Sequence, residues 1–320
     1  MKNIEPKPSS NAPQASKVLI LKMHNTHQLR NFFFLLLLSC CWGPSFLFIK
    51  IAVEYVPPIT ITAIRMMIGS ALLYIILKFN KIDLPKFDKN WKHFLVMAIF
   101  SCGLPFTMFG VGEQYVDSSL AAIINGTSPL FTLAIAHYCT DNDRLNRAKI
   151  FGSAIGFFGL FLLVFPSLFQ SKATVLGIIS CLIASVSYAI GFVYAKKHIR
   201  GYKPLVVPCA QLLVASIILV PMALIFEKPY EIEYVSMPAI FSVLALSLIG
   251  SALAFVLYYK LISIASATYA ASVNYIIPVI GVILGMIVLN EAMTWNSYIG
   301  SMMILSGVLI ANGVITIARK

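Results

Sequence analysis

The 320-residue sequence is 59% hydrophobic and 11% charged, with a mean hydropathy of +0.87. Soluble domains carry roughly 25% charged residues, so this chain cannot cover a water-exposed surface, and a soluble globular fold is excluded. The net charge of +12 does not signal a nucleic-acid partner, because Lys and Arg fall in loops at the ends of apolar runs instead of clustering on one face.

Residues 1–30 are polar, contain Pro6, Pro8 and Pro13, and show no apolar periodicity. They are expected to form a cytoplasmic tail. The apolar run that follows is too long for a signal-peptide core and lacks a small-residue cleavage site, so it is retained as a helix. A bilayer core about 30 Å thick needs about 20 apolar residues per helix. Such runs occur at 32–53, 58–79, 92–112, 118–138, 147–165, 174–196, 204–226, 238–262, 267–289 and 295–317. The expected fold is an all-α membrane protein of ten transmembrane helices. With the N-terminus in the cytoplasm, Lys50, Lys172 and Lys228 fall outside, Arg65 lies within a span, and every other Lys and Arg falls inside. That asymmetry places both termini in the cytoplasm.

Self-comparison divides the chain into a half at 31–168 and a half at 169–320. A shift of 146 pairs Trp42 with Tyr188, Phe46 with Phe192, Lys50 with Lys196 and Pro58 with Pro204. A shift of 149 pairs Phe106 with Phe255, Phe109 with Tyr258, Asn125 with Asn274 and Pro129 with Pro278. A shift of 148 pairs Asp143 with Glu291 and Gly152 with Gly300. Five helices per half make the two repeats cross the membrane in opposite senses. Inverted repeats around a midplane site are the logic of secondary transporters.

Several runs resemble EamA-type drug/metabolite transporters. These are WGPSFLFIK (42–50), GEQYVDSSLAAIINGTSPLFTLAIA (112–136), and the segment 257–313 with its LNEAMTW; NDRLNRAK (142–149) is similar to a degenerate first-half copy of the last motif. Arg65 falls where that family carries its second-helix arginine. The resemblance implies a bacterial inner-membrane carrier that moves amino acids, nucleobases, cofactors or drugs, more often outward. It also implies a central cavity lined by helices other than the fifth and tenth.

Arg65 is the ionisable residue deep in a span, about 10 Å beyond Pro58 at 1.5 Å per residue. Burying it unpaired costs about 2.5–3.5 kcal/mol even on the insertion scale. It therefore serves either a substrate anion or gate, or helix carbonyls as a structural arginine. Its repeat partner is Gln211, so the cavity would carry a cation on one side, which suits a substrate with one carboxylate. Asn125 and Asn274 precede Pro129 and Pro278 by four residues, where a mid-helix proline frees a carbonyl. They are substrate contacts or kink stabilisers. Trp42, Tyr188, Phe106, Phe109, Phe255 and Tyr258 repeat in both halves and line a cavity or pack against lipid.

Glu54 and Glu113 sit near outer helix ends. Both are expected to be solvated there, with Glu113 the candidate for ion coupling. Asp143 and Glu291 are expected to favour the N-termini of the helices they precede, and Lys50 and Lys196 to snorkel at helix C-termini. The six cysteines read as small buried apolar residues. Gly152/Gly156 and Gly281/Gly285 allow close helix contact, within the chain or in a homodimer. No paired acids, His–Glu cluster or metal-ligand spacing supports an intramembrane enzyme, a metal or a cofactor, and no large extramembrane domain supports a receptor or scaffold. The expected partners are a small-molecule substrate and the lipid bilayer.

Overall fold

A computed structural model describes residues 29–139, 147–169, 171–199, 201–265, 270 and 273–311. Asp143 and the tail through residue 28 lie outside the described residues. Among the described residues the chain is helical, without strands. Eight helices are long and apolar enough to cross a membrane: α1 (Leu29–Val53), α2 (Pro58–Phe79), α3 (Trp91–Glu113), α4 (Ser118–Cys139), α5 (Arg147–Val164), α6 (Lys172–His198), α7 (Val206–Glu227) and α8 (Met237–Ile264). Two shorter apolar helices follow, α9 (Val273–Val288) and α10 (Trp295–Ala311).

Interruptions in α1, α4, α3 and α8 shape the bundle. In α1 the helix pauses at Gly43–Pro44 and resumes at Ser45, where Pro44 has no N–H to donate. In α4 it breaks between Asn125 and Ser128. Pro129 therefore lies in the first turn of a new helix, where its missing donor costs nothing, and not in mid-helix as the sequence suggested. The carbonyl of Ile124 at this break accepts from Thr127 Oγ1 at 2.6 Å and from Ser185 Oγ of α6 at 3.1 Å. Pro278, in contrast, lies inside α9, and a Cβ on Gly126 would stand 2.9 Å from its ring. Finally, α3 and α8 each hold a π-helical turn, at Ile99–Gly103 and Leu248–Leu253. These starts are 149 residues apart, the same offset that pairs the aromatics of the two helices.

Helices α5 and α10 pack against each other at the edge of the bundle. A Cβ on Gly307 would stand 2.5 Å from the Gly152 carbonyl oxygen, and one on Gly300 would stand 2.7 Å from the Gly159 oxygen. Gly156 meets Leu130, and Gly281 meets Ala122, so these glycines allow close packing inside the chain. The opposite face of α5 exposes Phe151, Phe158 and Phe161, as a lipid-facing helix would. Cys40 and Cys139 are exposed, unlike the other four cysteines. Their positions at the outward face of α1 and the end of α4 override the sequence expectation of burial.

One end of the bundle is tied by charged groups bonded to helix termini. Glu227, closing α7, accepts from Ile59 N (2.9 Å), Thr60 N (2.6 Å) and Thr60 Oγ1 (2.8 Å) at the start of α2. Glu291 accepts from Ser118 N and Oγ (2.8 Å each), from Ser119 N (2.9 Å) and from Ser119 Oγ at the start of α4. Its negative charge favours a helix N-terminus as expected, but that of α4 instead of α10, because the loop folds back across the bundle. The four bonds outweigh the burial that raises its pKa, and hold the Glu291 carboxyl below the usual range. Lys50 does not snorkel. Its ammonium donates to the carbonyls of Glu113 (2.7 Å) and Val116 (2.8 Å) beyond the end of α3.

Candidate functional site

A cavity of about 90 Å³ lies in the middle of the bundle. It is walled by α1, α2, α3, α4, α6, α8 and α9, with nothing from α5 or α10. Part of its wall is held by helices that deviate from regular geometry. Trp42 ends the first part of α1 and donates its indole N–H to the Gly250 carbonyl at 3.1 Å. Gly250 belongs to the π-turn of α8, and such turns leave backbone groups free for partners outside their own helix. The absent side chain matters here: a Cβ on Gly250 would sit 3.1 Å from Ser45 Oγ and 3.7 Å from an Arg65 terminal nitrogen.

Arg65 is 2% exposed. Its guanidinium lies over the Phe106 ring, 4.0 Å from the centroid, a cation–π contact worth about 2 kcal/mol when desolvated. Its Nε donates to Ser251 Oγ at 3.3 Å. Among the described residues no carboxylate forms an ion pair with it, and the cavity wall contains no acidic side chain. A buried cation with no counter-ion among the described residues can form a charge-assisted pair with an anion.

The aromatic side chains form a closed belt. Trp42 meets Phe255 (5.9 Å between centroids), Phe255 meets Phe106 (6.5 Å), and Phe106 meets Tyr188 (6.2 Å). Tyr188 then meets Phe192 (6.1 Å), Phe192 meets Tyr258 (6.4 Å), and Tyr258 returns to Trp42 (5.5 Å). Rings at these separations attract edge to face or offset, so the belt is a stiff apolar sleeve with Arg65 against one of its members. Asn125 and Asn274, both buried, enter the same wall from the broken α4 and from α9.

All candidate residues named from the sequence share this cavity except Gln211 and Glu113. Gln211 stands behind the wall and accepts from Tyr259 Oη at 3.2 Å, while its Nε2 has no partner among the described residues. Glu113 is not a solvated helix end: it is 0% exposed, sealed beneath the tied end of the bundle. Glu54 is exposed as expected. Sequence reasoning missed Ser45, Ser101, Tyr259 and Ile262 in the wall. Phe46 and Phe192 were within reach, since each lies one helical turn after a flagged aromatic, Trp42 or Tyr188.

The cavity reaches toward the end of the bundle that holds Ala195 and Ile262, next to exposed Lys196 and Lys260. The other end is closed by the Phe46–Phe109 contact, 5.2 Å between centroids, and beyond it by the Lys50, Glu227 and Glu291 ties.

Comparison with known proteins agrees with this geometry. The chain is 24% identical to YoaV of Bacillus subtilis, an uncharacterized transporter, over 84% of this chain and 92% of that one. It is 30% identical to an uncharacterized transporter of Buchnera aphidicola subsp. Schizaphis graminum, over 76% and 81%. It is 23% identical to a protein of Escherichia coli described as a probable amino-acid metabolite efflux pump, over 86% and 92%. A solved crystal structure shares the fold with a TM-score of 0.63 at 17% identity, covering 90% of this chain and 96% of that one. The model of the EamA-like transporter family matches residues 29–165 and 175–313. The chain is an integral membrane protein and belongs to the EamA-like transporter family.

Proposed function

We propose that this protein is a secondary carrier for a small solute with one carboxylate and an aromatic or bulky apolar body, such as an amino acid or a derivative. It moves this solute outward across a bacterial inner membrane by alternating access. The observation that carries the reading is Arg65, a buried cation without a counter-ion among the described residues, set against a closed aromatic belt. A carboxylate on the guanidinium supplies the missing charge, and the belt takes the apolar body. Asn125 and Asn274 offer hydrogen bonds to an amine or hydroxyl. The relative described as an amino-acid metabolite efflux pump supports both the class and the direction.

In this reading ten helices cross the bilayer as two inverted halves, 31–168 and 169–320, with both termini cytoplasmic. The excess of Lys and Arg at the cavity's open end supports a cytoplasmic side there, so the tied end is the outer gate. Glu227 and Glu291 belong to the second half and hold helices of the first, as contacts that close one face of an alternating-access carrier would. The test is counterflow in proteoliposomes, with radiolabelled phenylalanine and a panel of amino acids, nucleobases and monocarboxylates. Exchange of carboxylate-bearing solutes that vanishes in Arg65→Ala is expected. Absence of exchange across the whole panel refutes the carrier assignment, and exchange confined to solutes without a carboxylate refutes the substrate class.

A further inference from the structure

Glu113 closes α3 one turn beyond Phe109, on the helix face that carries Phe106 and Phe109 to the cavity. The Phe46–Phe109 contact stands between the carboxyl and the cavity. The side chain is fully buried, and neither oxygen has a hydrogen-bond partner among the described residues. The Lys50 ammonium lies alongside, but it is held by the backbone carbonyls of Glu113 and Val116 and makes no hydrogen bond to the carboxyl. Helix α6 seals the remaining side. A Cβ on Gly112 would run into Cys181 Sγ, and one on Gly177 would stand 3.0 Å from the Gly112 oxygen. The charged and titratable groups facing Glu113 are Lys50 on α1, Arg65 on α2, Cys181 on α6 and Glu291 before α10. Glu291 is itself bonded to Ser118 and Ser119.

An ionised carboxylate enclosed with no hydrogen bond to either oxygen among the described residues is costly to keep, even with Lys50 alongside, and a group so placed neutralises instead. We propose that Glu113 is a proton-binding site of the carrier, neutral while the outer end is closed and exchanging its proton with outer water when that end opens. The proposal rests on the carrier reading and adds a driving link to it. On opening, the Glu113 O–H bond breaks, the electron pair stays on the carboxylate, and the proton passes to water; closing reverses both. Where the open form is ionised and the closed form is not, each unit of pH shifts the open-to-closed ratio tenfold. Protons thereby bias the conformational step that carries solute.

The test uses the full chain in lipid nanodiscs, with glutamate labelled by carbon-13. Infrared spectra at neutral pH are expected to show the carbonyl stretch of a protonated, labelled carboxylic acid. The band should be lost in Glu113→Gln and replaced by an unlabelled one in Glu113→Asp. Absence of that band from the unmutated protein overturns the proposal without recourse to any variant. A second measurement, in sealed right-side-out membrane vesicles, retains Cys181 as the sole thiol and follows its labelling by an impermeant maleimide added from outside. The rate relative to the same protein carrying Glu113→Gln should rise up to tenfold per pH unit, and a flat ratio overturns the linkage. Neither readout requires a substrate. A missing band therefore removes the proton site and leaves the carrier intact, whereas failed counterflow with the band present does the reverse.

Discussion

Truncating Arg65 to alanine tests the substrate class quantitatively. The side chain is 2% exposed and lacks a carboxylate partner among the described residues, so a bound carboxylate would form a desolvated charge pair with it. Removing one member of such a pair costs about 2–5 kcal/mol, which at about 1.4 kcal/mol per factor of ten is a loss of about thirty-fold to several thousand-fold. The loss must be selective. Phenylalanine and phenylalaninamide present the same ring to the aromatic belt, but only the acid carries the charge. In equilibrium binding to purified protein, Arg65→Ala should therefore weaken phenylalanine by at least thirty-fold and phenylalaninamide by less than threefold. Arg65→Lys should fall between, because an ammonium keeps the charge but loses the planar stack on Phe106 and the Nε bond to Ser251. Equal weakening of acid and amide would refute the charge argument and make Arg65 a structural residue.

Other consequences can be read from stability. Glu291→Ala leaves two serine N–H groups at the start of α4 without their acceptor, and a lost charged cap costs about 1–2 kcal/mol; the thermal midpoint in detergent should drop by several degrees. Because the Glu291 pKa is lowered by folding, its contribution is complete above the ordinary carboxylate pKa of about 4.3 and disappears as pH falls through the lowered value. The gap between the unmutated protein and Glu291→Ala should therefore close on acidification, and a constant gap would refute the cap. Gly307→Ala forces a methyl group against the Gly152 backbone. Overpacking of this kind costs about 1–3 kcal/mol, and an unchanged midpoint would refute the close α5–α10 approach. Tyr259→Phe strips Gln211 of its bond and should destabilise by about 1–3 kcal/mol, measured by the same melt.

The helices were legible because apolar length is a local property of the sequence. The aromatic belt was partly legible because the repeat offset marks equivalent positions such as Trp42 and Tyr188. What stayed hidden depends on which helix end meets which charge. Nothing local in LNEAMTW says that Glu291 will reach back to Ser118, nor in VGEQYV that Glu113 will be capped over by Lys50 and sealed by α6. Glu113 reads as a solvated end and Glu291 as a charge for the helix that follows it because each lies at a helix terminus, and the contacts made there are decided by partners distant in sequence. The break of α4 was missed for a related reason: Pro129 announces a disturbance, but whether the helix kinks or stops depends on Ser185 and Thr127 taking up the Ile124 carbonyl.

The α5–α10 pair has a mechanical consequence. Its tightest contacts bring backbone onto backbone at Gly152, Gly159, Gly300 and Gly307, and at those points there is no side-chain rotamer to exchange. Neither helix touches the cavity. The pair is thus a strut joining the middle of the chain to its last described helix, set apart from the cavity walls, so that residues lining the cavity can diversify without loosening the frame.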